Sequence, residues 1–290
     1  MQTVRKTAKT SPASLIAVAN APCQPAGPGE LVTYQFSAVS AAVRVSAVII
    51  TFNESNNIRR TLSRLHWCDE IIIVDSYSTD NTIDICKEFG CKIFFRSFEG
   101  YGAQKRFAVS KASNNWILCI DADEVLSEEL TREIQEQLHK KPSYAGFFMP
   151  MNLVFLGREF RYGKESQRYF LRLFNKNAGG FNEALVHEKL EIYGETGRMR
   201  EKILHYSYAD TRQWQEKCSR YTTLSAREAI KKGKKRSVPA VIIALPYYFF
   251  RTYFMERNFL NGLEGFYWSA FTAHYHFMKY VKIREQNSKN

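Results

Sequence analysis

The run Trp116-Ile-Leu-Cys-Ile-Asp-Ala-Asp-Glu124 constrains this chain more than any other segment. An apolar stretch that ends in two carboxylates one residue apart describes a strand buried on both faces, with its tip at the surface. Such strands belong to parallel sheets covered by helices. Open α/β sheets bind their ligands beyond the C-terminal strand ends, which is where Asp121 and Asp123 fall. The two-residue repeat of a strand sends both side chains to the same side. Hard oxygen ligands placed that way suit Mg2+ or Mn2+ held between carboxylate and a substrate phosphate. An Asp-x-Asp pair alone also describes a solvated turn or a helix cap. The segments upstream decide between these readings.

From Val45 to Ile50 the β-branched run predicts a first strand, with Thr51-Phe52-Asn53-Glu54 as the polar turn after it. Ile58, Leu62 and Leu65 then recur on one helical face, with Arg59, Arg60 and Arg64 on the other. Glu70 to Asp75 is a second buried strand ending in an acid, followed by turn and cap residues from Ser76 to Asp80 and a helix closed by Gly90. Cys91 to Phe95 is the third strand, and a helical segment around Ala103 to Ala112 leads to the strand ending at Asp121. After the acids, Ser127 caps a helix with Glu128 and Glu129 in its first turn and Leu130, Ile134 and Leu138 on one face. Four strand-helix alternations imply a parallel sheet with right-handed crossovers, and acids at two strand ends imply one ligand lying across them. No Gly-x-Gly-x-x-Gly follows the first strand, so a dinucleotide pyrophosphate has no glycine loop to rest on. A metal is expected to neutralise a diphosphate instead.

The chain has 290 residues, 45% of them hydrophobic, which is ample for a large core. Lys and Arg number 41 against 29 Asp and Glu, and the net charge of +12 favours polyanions or anionic surfaces as partners. The six cysteines form no Cys-x-x-Cys pair and several sit in apolar runs, so they are read as reduced thiols of a cytosolic protein. Residues 1–43 are rich in Ala, Ser, Pro and Thr and are expected to be a disordered prefix. The apolar run Leu15 to Ala19 within them is short for a signal peptide. The longest apolar stretch, Val238 to Phe250, contains Pro239 and Pro246 and falls short of a bilayer span.

Three segments carry a resemblance to a known family: Val48-Ile-Ile-Thr-Phe-Asn-Glu54, Ile73-Val-Asp-Ser-Tyr-Ser-Thr-Asp-Asn-Thr82 and Ile120-Asp-Ala-Asp-Glu124. In order and spacing they resemble the inverting family 2 glycosyltransferases of the GT-A fold. Gly180-Phe181 followed by Val186-His187-Glu188 is similar to a later motif of the bacterial lipopolysaccharide inner-core β-glucosyltransferases. The resemblance runs from about residue 44 to residue 283. It implies an α/β domain over 44–208, Rossmann-like and mostly parallel, with a nucleotide-sugar half to about residue 140 and an acceptor half after it. Residues 209–290 are expected to form a helical, basic and aromatic extension.

The resemblance also implies site roles. Asp75 accepts a hydrogen bond from the uracil of a UDP-sugar, and Thr51, Asn53 and Glu54 flank base and ribose. Asp121 contacts the ribose or a metal-bound water. Asp123 ligates Mg2+ or Mn2+, and His205 is a further candidate ligand. Lys105 and Arg106 are placed to meet the diphosphate, although a solvated helix face explains them nearly as well. Glu124 serves to hold a helix N-terminus or to orient its neighbours. Inverting transfer needs a base for the acceptor hydroxyl; Glu188 is the candidate and Glu183 the reserve. His187 could be a metal ligand, although a lone His beside a strand is more often a structural group. Arg172, a charge inside the apolar strand Phe170-Leu-Arg-Leu-Phe174, must face a cleft or an acid, since burying it unpaired is costly.

Lys231-Lys-Gly-Lys-Lys-Arg236 precedes Val238 to Phe250 and a series of aromatics: Tyr253, Phe254, Phe259, Phe266, Tyr267, Trp268 and Phe271. Basic residues beside an aromatic surface fit an anionic bilayer interface, and packing onto the catalytic domain or an oligomer contact is the plainer alternative. The expected protein is a metal-dependent hexosyltransferase acting on a lipid-linked saccharide acceptor, peripheral on the inner membrane. The rival readings are a transferase of the same fold that uses polyprenyl phosphate, and an inactive scaffold binding lipid or nucleic acid. Against the last, no nucleic-acid module accompanies the charge, and no nucleic-acid partner is expected.

Overall fold

Strand β1 (Val45–Thr51) is flanked on both sides, which is why all but one of its residues are buried. It runs parallel to β2 (Glu70–Asp75), with Thr51 opposite Asp75, and parallel to β4 (Trp116–Cys119) on its other side. β3 (Lys92–Phe95) continues the sheet outward, parallel to β2. The crossovers are α1 (Ile58–Leu62), α2 (Thr82–Glu88) and α3 (Tyr101–Ser110). This is the alternation read from the apolar runs. The computed structural model describes residues 43–140, 143–166, 168–182, 190–208 and 210–287. The expected prefix, except for Val43, and the candidates Glu183, His187 and Glu188 lie outside the described residues.

The acids do not sit on the strand pleat. β4 ends at Cys119, and Asp121 and Asp123 lie on the turn into a three-residue strand, β5 (Glu124–Leu126). The turn is closed by the Glu124 N–H on the Asp121 carbonyl at 3.0 Å, and the Asp121 N–H donates to the Glu124 carboxylate at 3.0 Å. Turn geometry, rather than strand alternation, therefore positions the pair. Ser127 then caps α4 (Glu128–His139) by accepting from the Leu130 N–H at 3.1 Å, and Leu130, Ile134 and Leu138 are buried.

The second half completes the same sheet in a different manner. β8 (Arg168–Asn175) inserts antiparallel between β4 and β6 (Gly146–Phe155). β12 (Ile203–Tyr208) pairs with β6 in parallel and with β5 antiparallel. The order is β3-β2-β1-β4-β8-β6-β12-β5. Short strands β7 (Arg158–Glu159) and β11 (Thr196–Arg198) flank β6, while β9 (Gly179–Phe181) and β10 (Leu190–Ile192) form a separate ribbon. The strand order jumps from β1 to β4, so the turn after β4 lies at a switch point, where a crevice opens.

Three long helices follow. Asp210 caps α5 (Thr211–Lys231), accepting from the Gln213 N–H at 2.7 Å. Ser237 caps α6 (Val238–Phe250); Pro239 sits in its first turn, where no ladder donor is lost. Pro246 lies inside the helix without ending it, and the chain continues through a π turn, Arg251–Met255. The helical run Val238–Met255 thus reaches 18 residues, long and apolar enough to cross a membrane by length and composition, with 11% of it buried. The expectation of a shorter stretch stopped at Phe250. α7 (Leu263–Asn287) returns along α5 and α6.

The turn between α6 and α7 is tied to the sheet domain by two buried asparagines. The Asn261 carboxamide accepts from the Arg161 N–H at 3.1 Å and donates to the Tyr162 carbonyl at 2.9 Å and to Asn258 Oδ1 at 3.0 Å. Asn258 in turn donates to the Thr252 carbonyl at 2.9 Å. α7 approaches so closely that a Cβ at Gly265 would lie 1.9 Å from the Asn258 carbonyl oxygen. Trp268 and Phe271 correct the expected aromatic surface. They turn inward, with ring centroids 5.3 and 5.8 Å from that of Phe155, because the same face of α7 closes over the end of β6.

Candidate active site

One end of the site is a set of interlocked turns. Asp75, at the tip of β2, has 0% exposure. One of its oxygens accepts from the Ser78 N–H at 2.7 Å, and the other accepts from the Thr51 hydroxyl at 2.8 Å and the Ser78 hydroxyl at 2.5 Å. The residue expected to meet uracil thus braces the two turns from beneath. Asn53 adopts a left-handed backbone, φ 55°, with its N–H on the Ser78 hydroxyl at 2.8 Å and its side-chain oxygen on the Thr79 N–H at 2.8 Å. The Glu54 N–H donates to the Thr82 hydroxyl at 2.8 Å, and its carboxylate accepts from Asn57 at 3.0 Å. Burial pushes the Glu54 carboxyl up from its ordinary value, and the nearby Asp123 charge adds to that.

Beyond β4 the charges form a chain. Lys105 reaches from α3 to one oxygen of Asp121 at 3.0 Å, and Arg172 reaches from β8 to the other at 3.1 Å. Arg172 also grips Glu124, and its side chain is only 12% exposed. The charged residue singled out within an apolar strand therefore joins two acids. Burial opposes the charge on Asp121, yet Arg172 and Lys105 outweigh it and hold the carboxyl below the usual carboxylate range. Burial lifts the Glu124 carboxyl to about 7, although Arg172 pulls the other way. Of two carboxylates sharing one guanidinium, the more deeply buried is the first to take a proton.

Asp123 faces the other way. Its carboxylate lies 3.3 Å from His205 Nε2, and β12 carries that histidine directly opposite Glu124 in the sheet. Burial disfavours the His205 imidazolium, but Asp123 outweighs it and raises the pKa above its ordinary value. Among the described residues, no group of three or more His, Cys, Asp or Glu side chains gathers around one point. Asp123 and His205 nonetheless form a two-donor edge of mixed oxygen and nitrogen, a set suited to Mn2+ or Mg2+ when substrate oxygens complete the shell. A cation held there would take His205 as the neutral imidazole. Nearby, Arg172 Nε is buried without a partner, so the pocket keeps a donor available for an anionic oxygen. The donor set fits the group.

Arg106 is not part of this chain, since its guanidinium donates to the Asn182 carbonyl. The structure also brings in residues that sequence reasoning missed. A cavity of about 460 Å³ opens from Asp121, Arg172 and His205 towards α5 and α7. Trp214 and Trp268 line it, yet their only signal in the sequence was an aromatic at helical spacing, which describes core packing equally well.

An open sheet with acids, cations and an imidazole gathered beyond its switch point, and no glycine loop, is the plan of a GT-A nucleotide-sugar transferase. The model of the glycosyl transferase family 2 matches residues 46–194, and the chain belongs to that family. It is a glycosyltransferase. It is 33% identical over 267 residues to a glycosyltransferase of Rickettsia felis, covering 85% of this chain and 92% of that one. It is 29% identical over 251 residues to the lipopolysaccharide core biosynthesis glycosyltransferase LpsC of Rhizobium meliloti, covering 84% and 93%. Among solved structures, the mannosyltransferase PcManGT of Pyrobaculum calidifontis in complex with GDP-Man and Mn2+ aligns at a TM-score of 0.42 and 15% identity over 81% of this chain and 74% of that one.

Proposed function

We infer that the protein is a metal-dependent inverting hexosyltransferase that moves glucose from UDP-glucose to a sugar hydroxyl of a lipid-linked acceptor, with lipopolysaccharide core as the preferred acceptor. The observation that carries this reading is the Asp123–His205 edge set beside Asp121, itself held by Lys105 and Arg172. Mg2+ or Mn2+ bound there supplies charge neutralisation of the leaving diphosphate. Asp123 and His205 would hold the ion, and Asp121 would orient its surroundings. Lys105 and Arg172 lie close enough to Asp121 to offer positive charge to diphosphate oxygens. Thr51, Asn53, Glu54 and Asp75 shape the nucleoside end.

Glu188 takes the acceptor hydroxyl's proton as that oxygen attacks the anomeric carbon opposite the diphosphate; the carbon–oxygen bond to diphosphate breaks and UDP leaves. Glu183 is the reserve. The similarity to LpsC over most of both chains supports a saccharide acceptor in cell-envelope synthesis.

Residues 44–208 are the catalytic domain in this reading, and 209–290 the membrane-associating part. The outer face of α6 and the turn after it expose Ile242 at 69%, Met255 at 69% and Phe250 at 55%, next to the basic run from Lys231 to Arg236. An apolar face rimmed by cations suits the cytoplasmic leaflet of an anionic inner membrane.

Calorimetric titration of UDP with Mn2+ and with EDTA tests the reading. Metal-dependent binding that is lost in Asp123→Ala, with the fold intact, is expected; absent nucleotide binding would favour an inactive scaffold. Glu188→Gln is expected to lower turnover about 10² to 10⁴-fold while UDP still binds. Full activity in that variant would point to an acceptor needing no base, such as a polyprenyl phosphate.

A further inference from the structure

The cavity beside the charge chain has two unlike ends. Asp121, Arg172 and His205 close one end, and the other is walled by Trp214 from α5 and by Trp268 and Phe271 from α7. Trp214 lies flat on Phe271, with centroids 4.2 Å apart and planes 25° from parallel, so the wall is a braced aromatic stack. Between the ends stand hydroxyls and a carboxylate: Ser207, Thr272, Tyr275 and Glu165, the last paired with Arg168 at 3.2 Å. The charges of Glu165 and Arg168 offset each other, and nothing along this stretch selects for an anion. A volume of about 460 Å³ lies within the range of small-molecule sites, about 300 to 1,000 Å³. An aromatic wall with a few polar groups beside it suits a ligand with one apolar ring face and a rim of hydroxyls, which describes a neutral pyranose.

We propose that this cavity is the acceptor-sugar subsite, and that α5 and α7, which lie outside the segment matched by the family model, form the wall that selects the acceptor. The proposal rests on the glycosyltransfer reading above and deepens it. The seat opens onto Asp121 and His205, so a ring held there lies beside the end where the donor's reacting carbon is expected. Glu165 and Thr272 are its specificity residues, because both are polar side chains on its lining that can hydrogen-bond a ring hydroxyl. A site built to hydrogen-bond a particular hydroxyl rejects the analogue lacking it far more strongly than an apolar wall does.

The test uses the full chain with UDP and Mg2+, and methyl glycosides of hexoses and hexosamines as probes, read by saturation-transfer NMR. UDP and UDP-glucose affinities are measured in parallel. Thr272→Trp places an indole in the cavity without removing a core side chain, and Glu165→Gln keeps the shape while removing the charge. At least one glycoside is expected to bind saturably to the wild type, with affinity reduced at least ten-fold by Thr272→Trp and shifted in epimer preference by Glu165→Gln, while UDP affinity stays the same. Three results would overturn the inference: no glycoside binding to a protein that binds UDP, equal glycoside binding in both variants, or a selective loss of UDP-glucose relative to UDP in Thr272→Trp, which would assign the cavity to the donor sugar. Failure of the wild type to bind UDP at all would instead refute the transferase reading, whatever the glycosides do.

Discussion

Glu70 offers the sharpest test of how the parallel half of the sheet is held together. It sits at the start of β2, with its side chain 6% exposed. One carboxylate oxygen accepts from the Ser46 hydroxyl of β1 at 2.5 Å and from the Ser113 N–H before β4 at 2.6 Å. The other accepts from Lys92 of β3 at 2.6 Å and the Ser113 hydroxyl at 3.1 Å. One carboxylate thus joins four neighbouring segments at the end of the sheet opposite the active site. Burial alone would raise its pKa, but the hydrogen bonds from Lys92, Ser46 and Ser113 outweigh that and bring it down from 4.5 to about 2.

The folded state binds this proton more weakly than the unfolded chain. The resulting stability is therefore present above pH 4.5 and is lost as pH falls towards 2. A shift of this size corresponds to about 3 kcal/mol at neutral pH, of which about 2 kcal/mol is gone by pH 3. Lys92 is more than half exposed, so solvent screening brings the neutral value nearer to about 2 kcal/mol. Urea unfolding of wild type and Glu70→Gln, followed by circular dichroism at pH 7 and pH 3, reads both quantities. The expected gap is about 2 to 3 kcal/mol at pH 7, narrowing to about 1 kcal/mol at pH 3. A gap that is the same at both pH values, or below about 0.5 kcal/mol at pH 7, would refute the argument that ionised Glu70 fastens these strands.

Arg172→Met leaves the buried Glu124 without its cation, beside a partly exposed Asp121 that keeps Lys105, and is expected to cost about 3 to 5 kcal/mol in thermal unfolding, with part recovered by adding Glu124→Gln. No recovery in the double variant would mean that the cost is packing rather than charge. Asn261→Leu strands the Arg161 N–H and the Tyr162 carbonyl and is expected to cost about 2 to 3 kcal/mol and to expose the turn between α6 and α7 to limited proteolysis. Unchanged cleavage would show that the hairpin is held by its apolar contacts alone.

The parallel half of the sheet was legible because parallel strands are buried on both faces and so read as continuous apolar runs, as at Ile71 to Val74 and Trp116 to Ile120. α4 was legible down to its cap, since Ser127, the paired glutamates and the spacing of Leu130, Ile134 and Leu138 all agree. β5 was not, because three residues hold no period. The insertion of β8 between β4 and β6 was equally hidden: pairing partners depend on which distant edges are free, not on local pattern. In the site, Arg172 announced itself as a charge in an apolar strand, but its partners did not, since Asp121 and Glu124 lie about fifty residues away in sequence. Asp75 was visible as a strand-end acid, but whether such an acid faces a ligand or braces a turn depends on hydroxyls from two other segments. Trp268 and Phe271 show the same limit on a helix. Their spacing marks a stripe but does not say whether that stripe meets solvent or sheet.

The asparagine latch has a consequence for how the chain is made. Its contacts join residues about one hundred positions apart, Arg161 and Tyr162 to Asn261. On a ribosome, the segment from 161 to 163, in the loop after β7, emerges well before Asn258 and Asn261 have been synthesised. Long-range contacts of this kind form late, because the intervening loop must first be closed. The turn behind α6 is therefore made after the landing site that its asparagines use, with α7 still to follow. Folding from the N-terminal side lets the α6 hairpin dock as it is made, rather than wait with its inner face uncovered, the condition under which nascent chains aggregate. A circular permutant that began at α5 would reverse this order and present the sticky hairpin first.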